Sequence, residues 1–258
     1  MSSSLALREY SYWMAHYRRT WRGTVVVSVA NPLFFLAAMG AGLGRLVDHQ
    51  HSPYLHGVGY LAFFAPGLLA AATMQTAVLE AGRPVHTSAR KRGNYRAAAA
   101  TPLRPADIFS GHLLFMAFRI TVSATAFVLV LQLFPATRSV QALLLVPAAL
   151  LTGLAFAAPL AAWAITVERT AALNSFFRFV AMPLYMFSGT FFSIGQLPSW
   201  LRPLAYASPL WQGVDLCRTL ALSTATWAGS ALHIAYLAAL TCGGVIAARR
   251  TYHRHLHS

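Results

Sequence analysis

The side chains with which this chain could do ionic chemistry are few. All its acids are Glu9, Asp48, Glu80, Asp107, Glu168 and Asp215. Each falls in a polar segment or near the end of an apolar run, so they do not form a carboxylate relay through a membrane. The charge set deepest in an apolar run is Arg119, about half-way along it, with His112 two turns earlier. A charge inside a membrane either lines a path or meets a partner there, and both readings of Arg119 are open. His49, His51 and His56 follow Asp48, and His253, His255 and His257 close the chain. These are metal-binding residue types, but no cysteine and no acid beyond Asp48 accompanies them, so they read as solvated polar segments. A phosphate-cradling loop needs G-x-x-x-x-G-K-[ST], and the single lysine, Lys91, stands between Arg90 and Arg92. The chain therefore does not hold ATP in that way. No G-x-S-x-G elbow is present, and the two cysteines, Cys217 and Cys242, lack a CxxC spacing. His112 is the one residue on which an intramembrane acyltransferase-like enzyme could rest. A proton-coupled exporter of another fold is the other alternative.

The elements that must position these residues are apolar helices. Hydrophobic residues make up 57% of the 258 and charged residues 10%, against about 25% charged in soluble domains. The sequence specifies an all-α membrane protein, one domain over residues 1–258. The net charge of +14 would suggest nucleic acid in a soluble protein. Here the basic residues gather between and beyond the apolar runs, so membrane orientation explains them and no nucleic acid is expected. Spans are expected at about 24–44, 58–81, 108–134, 140–166, 175–194 and 228–248, six in all, with kinks at Asn31-Pro32 and Pro66-Gly67. Residues 1–22 lack the apolar core of a cleavable leader. Instead, 5–22 reads as an amphipathic helix in the headgroup layer: Leu7, Tyr10, Met14, Tyr17 and Trp21 form one stripe, with Trp13 beside it, and arginines face away.

The 82–107 segment is the long basic one. It predicts a short helix from Arg90 to Ala100, ended before Pro102, and a second helix that starts after Pro105 and enters the third span. Pro198, Pro203 and Pro209 cut 195–226 into pieces too short to cross, so two short re-entrant or extracellular helices are expected there, carrying Trp200 and Trp211. Ser208 can cap the second of them ahead of Pro209. Asp215 and Arg218 are spaced i, i+3 on it, a pair worth roughly 0.2–0.5 kcal/mol. With six spans, fourteen basic residues fall on the side of the termini and the 82–107 segment, and four on the other. Both termini are then cytoplasmic.

The chain resembles the ABC-2 transporter permeases, of the daunorubicin-resistance and nodulation-factor export type. The N-terminal helix 5–22 looks like that family's elbow helix. Arg92-Gly93 through Ala100-Thr101-Pro102-Leu103 to Asp107 looks like its coupling region, where a basic loop reaches Thr101-Pro102 before the third span. Phe187-Ser188-Gly189-Thr190-Phe191-Phe192, Gln196-Leu197-Pro198-Ser199-Trp200-Leu201, Ser208-Pro209-Leu210 and Asp215-Leu216-Cys217-Arg218 are similar to its signature after the fifth span. One departure stands out: Ala89-Arg90-Lys91-Arg92-Gly93-Asn94 is wholly basic where the family often has an acid. The resemblance implies a transport subunit in a bacterial-type inner membrane that pairs with a second copy or a paralogue. Separate ATPase subunits would bind ATP and Mg, and this chain would bind no cofactor. It implies ATPase coupling through Arg90, Lys91, Arg92, Asn94, Tyr95, Arg96, Thr101, Pro102 and Leu103. The substrate, a drug-like compound, lipid or glycolipid, would pass Phe34, Phe35, Arg119, Phe187 and Phe191. Trp200, Trp211, Asp215 and Arg218 would stand at the exit.

Overall fold

The computed structural model describes residues 2–44, 58–91 and 93–256. No strand occurs among them. The helices are α1 (Ser2–Ala38), α2 (Tyr60–Ala81), α3 (Arg83–Arg90), α4 (Asn94–Ala99), α5 (Pro105–Leu131), α6 (Ala142–Ala164), α7 (Thr170–Phe176), α8 (Met182–Phe187), α9 (Arg202–Tyr206), α10 (Pro209–Ala221) and α11 (Trp227–Leu256). Helices are the expected answer for so apolar a chain, because each satisfies its own backbone hydrogen bonds in lipid.

Among the described residues, four helical stretches are long and apolar enough to cross a membrane: Tyr60–Arg90, Pro105–Leu131, Ala142–Ala164 and Trp227–Leu256. A fifth is added if Leu5–Gly23 and Ser28–Ala38, bent by 41°, count as one span. The expected fifth span, 175–194, lies earlier in the chain. It runs as continuous helix through α7, a wider π turn at Phe177–Ala181, and α8, and it ends at Ser188. Asn174, Arg178 and Pro183 interrupt its apolar run, and it does not join the stretches long and apolar enough to cross.

α2 and α6 form the centre. α2 is buried on nearly all sides, with Tyr60, Phe63 and Phe64 at one end and Ala65, Ala70, Ala71, Ala77 and Ala81 beyond. Small residues let neighbouring backbones approach, and packing of that kind drives helix association in lipid. α6 packs against α2, α5, α10 and α11.

Three local expectations change. Residues 2–38 are continuous helix with Pro32 inside, and the expected boundary between 5–22 and 24–44 falls at the 41° bend between Leu5–Gly23 and Ser28–Ala38 rather than at a gap. α1 packs along α5, and its buried ridge is Glu9, Trp13 and Tyr17, while Leu7 and Trp21, the ends of the expected stripe, are exposed. Trp13 lies on the ridge because it stacks on His112 of α5. The helix expected from Arg90 to Ala100 is shorter, α4 over Asn94–Ala99, and an unexpected helix, α3, precedes it. Gly93 breaks them with φ +67°, a left-handed conformation suited to glycine. α5 begins at Pro105 as expected, and Asp107 accepts the Arg104 backbone N–H at 3.3 Å.

Candidate coupling and transport site

The 82–107 segment folds under one end of the bundle and is fastened there by a tyrosine. Tyr95, on α4, is fully buried. Its hydroxyl hydrogen-bonds His112 Nδ1 on α5, and Tyr252 of α11 donates to it at 3.5 Å. If Tyr252 donates to Tyr95 and Tyr95 to Nδ1, the ring proton of His112 sits on Nε2. That Nε2 is buried with no hydrogen-bond partner among the described residues. His112 stacks flat on Trp13 at 3.8 Å, and Trp13 Nε1 donates to Glu9 Oε1 at 2.8 Å. Phe109 packs its ring against Tyr252 at 5.2 Å. One side chain of α4 thus meets α5 and α11 directly and α1 through His112. Burial, with Tyr252 adding to it, holds the Tyr95 phenol well above its usual value, so it stays a hydrogen-bond donor. The full burial of His112 removes it as a catalytic residue facing substrate.

The rest of the expected coupling set is mostly on the surface. Arg90, Lys91, Arg96, Thr101 and Pro102 are exposed. Thr101 Oγ1 closes the end of α4 on Ala98 O at 2.6 Å. Asn94 is half-buried, and Leu103 packs against the core. Arg92 lies outside the described residues. Sequence reasoning puts Tyr95 in the coupling set without its burial, and misses Tyr252 and the stacking role of Trp13, which lie far away in the chain and carry no local motif.

Arg119 is placed by its partners. Its Nε donates to Glu80 Oε1 at 2.9 Å, and its guanidinium lies 4.7 Å from the Tyr17 ring. Glu80 is one residue from the end of α2, so the pair sits at the same end of the bundle as Tyr95. The pair walls a cavity of about 330 Å³, together with Trp13, His16, Thr20 and Thr87.

The aromatic path candidates divide. Phe34 and Phe35 line a groove of about 430 Å³ with Leu68, Gln75, Phe127 and Tyr185. Phe34 is 72% exposed. Phe191 packs on Phe64 and Tyr185, and its carbonyl accepts the Tyr60 hydroxyl at 3.2 Å. Phe187 is exposed at the end of α8 and does not line that groove.

The opposite end is held by Arg218. Its Nη2 donates to Gly189 O at 2.7 Å, its Nε donates to Phe63 O at 3.1 Å, and its guanidinium lies 3.8 Å from the Phe63 ring. Gly67 leaves room for this: a Cβ there would meet Arg218 Nη2 at 3.1 Å and Thr190 Cα at 3.3 Å. Burial lowers the Arg218 pKa to about 10, with nearby Asp215 opposing, so it remains a cation. The expected contact pair of Asp215 with Arg218 does not form. Asp215 instead meets His233 of α11 at 3.1 Å, because Arg218 turns toward two carbonyls of α2 and the 188–190 turn. Gln212 also bonds His233. Ser208 caps α10 as expected, accepting Leu210 N–H at 3.2 Å. Trp211 packs edge-on against Tyr206 at 4.7 Å, while Trp200 is 77% exposed. Cys217 is buried, and burial pushes its thiol up to about 12. Among the described residues no group of three or more His, Cys, Asp or Glu could hold a metal ion, and His49, His51, His56 and His257 lie outside them.

The family described as ABC-2 type transporter matches residues 10–222. Nodulation protein J of Rhizobium meliloti (strain 1021) is 29% identical over 247 residues, covering 91% of this chain and 88% of the relative. Nodulation protein J of Rhizobium leguminosarum bv. viciae is 29% identical over 236 residues, 87% of each chain. The protein of the same name from Bradyrhizobium diazoefficiens is 28% identical over 233 residues, 87% of this chain and 86% of the relative.

Proposed function

Because the chain belongs to the ABC-2 type transporter family, we propose that it is the membrane subunit of an ABC exporter. It moves an amphipathic compound, drug-like or lipid-like, out of the cytoplasm or the inner leaflet. ATP and Mg are held by separate ATPase subunits, and this chain pairs with a second copy or a paralogue. Residues 170–187 complete a set of six crossings with α1, α2, α5, α6 and α11. The termini and the 82–107 segment face the cytoplasm of a bacterial-type inner membrane, because most basic residues gather at that end. There α3 and α4 form the surface on which the ATPase docks. α9 and α10 lie at the exit side, and substrate contacts Phe34, Phe35 and Phe191.

One observation supports this reading above the others: Tyr95, on the segment expected to meet the ATPase, is locked by its hydroxyl to α5 and α11. A displacement of α4 is then carried into two membrane helices. The test is to co-express the chain with an ATPase encoded beside it, purify the complex and reconstitute it in vesicles. The ATPase should co-purify and ATP should drive export of an amphipathic dye. A Gly-Ser replacement of residues 90–103 should abolish both. Recovery of no ATPase, or transport that continues without ATP and collapses with the proton gradient, overturns the proposal.

A further inference from the structure

We propose that the groove between α2, α6 and α7 is a binding site for one anionic phospholipid, with the phosphate held by Arg83 and an acyl chain lying in the groove. The cavity there is about 300 Å³. Its walls are apolar: Val78 and Leu79 of α2, Leu160 of α6, and Leu173, Phe176 and Phe177. Among the described residues, Arg83 and Asn174 are the polar side chains of its lining, and no acid lines it. Arg83 Nη2 donates to Asn174 Oδ1 at 3.0 Å. That bond fixes the guanidinium at the polar end of the groove while leaving other donors of its five for a phosphate.

Two observations set the groove at headgroup depth. Trp163, partly exposed near the end of α6, packs on Phe176 at 5.5 Å. Indole rings favour the level where acyl chains give way to headgroups. Leu79, on the groove wall, is 63% exposed, so the groove opens sideways onto lipid. Basic pockets between membrane helices are the sites at which anionic headgroups are retained. On its other side Arg83 borders the cavity walled by His16, Thr20 and Thr87. That cavity gives the remainder of a headgroup, with its water, a polar chamber. The carboxylate in it, Glu80, is already paired with Arg119.

This inference stands apart from ATPase coupling, so it is tested on the full-length chain alone. The chain is stripped of lipid in detergent and titrated with phosphatidylglycerol, with phosphatidylcholine of the same acyl chains, and with glycerol phosphate. Occupancy is read by native mass spectrometry. One phosphatidylglycerol should be retained, about fivefold more tightly than phosphatidylcholine, as expected for one guanidinium at a membrane surface. Arg83→Gln should remove that preference, and Arg83→Lys should keep part of it. Leu79→Trp, which fills the groove from an exposed position, should weaken both lipids without changing their ratio. Elution volume and helical content should match those of the parent chain. A preference that survives in Arg83→Gln overturns the proposal. So does full displacement of the lipid by glycerol phosphate, which would mark a simple anion site, or Leu79→Trp binding both lipids as the parent does.

Discussion

The two ends of this bundle are closed by opposite kinds of bond. At the end that carries α3 and α4, side chains meet side chains: Tyr95, His112, Tyr252 and Trp13 bond and stack across four helices, and Arg119 pairs with Glu80 beside them. At the other end a cation, Arg218, reaches past side chains and binds the backbone carbonyls of Phe63 and Gly189. Each neutral hydrogen bond is worth about 1 kcal/mol net, but Tyr95, His112, Tyr252 and Trp13 are buried, so a lost partner costs more than that and the four helices stay tied together. A guanidinium on two carbonyls fixes the course of the main chain itself, with bonds roughly twice as strong. The first end ties helix to helix through side chains, and the second holds the 188–190 turn against α2.

Substitutions can break this contrast in a graded way. Arg218→Leu should have the largest effect, about 3 kcal/mol, because it strands two carbonyls and removes a charged donor. Thermal unfolding in detergent would measure it, and a loss below about 1 kcal/mol would mean that this end is not held by Arg218. Tyr95→Phe removes only a hydroxyl but leaves Tyr252 and His112 short of a partner, so a loss of about 2 kcal/mol is expected. In the assembled transporter the same variant should lower dye export per ATP hydrolysed more than it lowers ATPase recovery. Equal losses would show that Tyr95 only supports the fold. Arg119→Ala should cost about 1 kcal/mol, the upper range for a pair that water still reaches, and should reduce assembly and transport together. Transport lost with assembly intact would move Arg119 onto the substrate path. Ser208→Ala should cost least, about 0.5–1 kcal/mol, through loss of the α10 cap. A double-mutant cycle between Ser208 and Tyr95 should be additive, since the two lie at opposite ends of the bundle.

The sequence carried those features that depend on near neighbours. Apolar runs placed α2, α5, α6 and α11, Pro105 marked the start of α5, and Ser208 with Pro209 marked the start of α10. It did not carry features that depend on distant ones. Arg218 has an acid three residues away, but α2 and the 188–190 turn each offer it a carbonyl across a gap at Gly67, 151 positions earlier in the chain. Basic residues around Gly93 suit a helix, yet the turn that seats Tyr95 beneath α5 needs a positive φ there. Tyr252 lies in a basic tail with no periodic signal of its own. It becomes meaningful only when α11 runs on past 248 and brings it to Tyr95.

α11 is a single unbroken helix of 30 residues. Its Tyr252 touches Tyr95 at one end, and its His233 touches Asp215 and Gln212 of α10 at the other. The two contacts are separated by about 29 Å of helix at 1.5 Å per residue. A rod of that length turns a tilt of about 5° into a shift of about 2.5 Å at its far end, close to half a helical turn. The two closures therefore share one lever: as long as α11 stays straight, a displacement of its Tyr252 end is felt at His233, and whatever moves one end of the bundle is geared to the other.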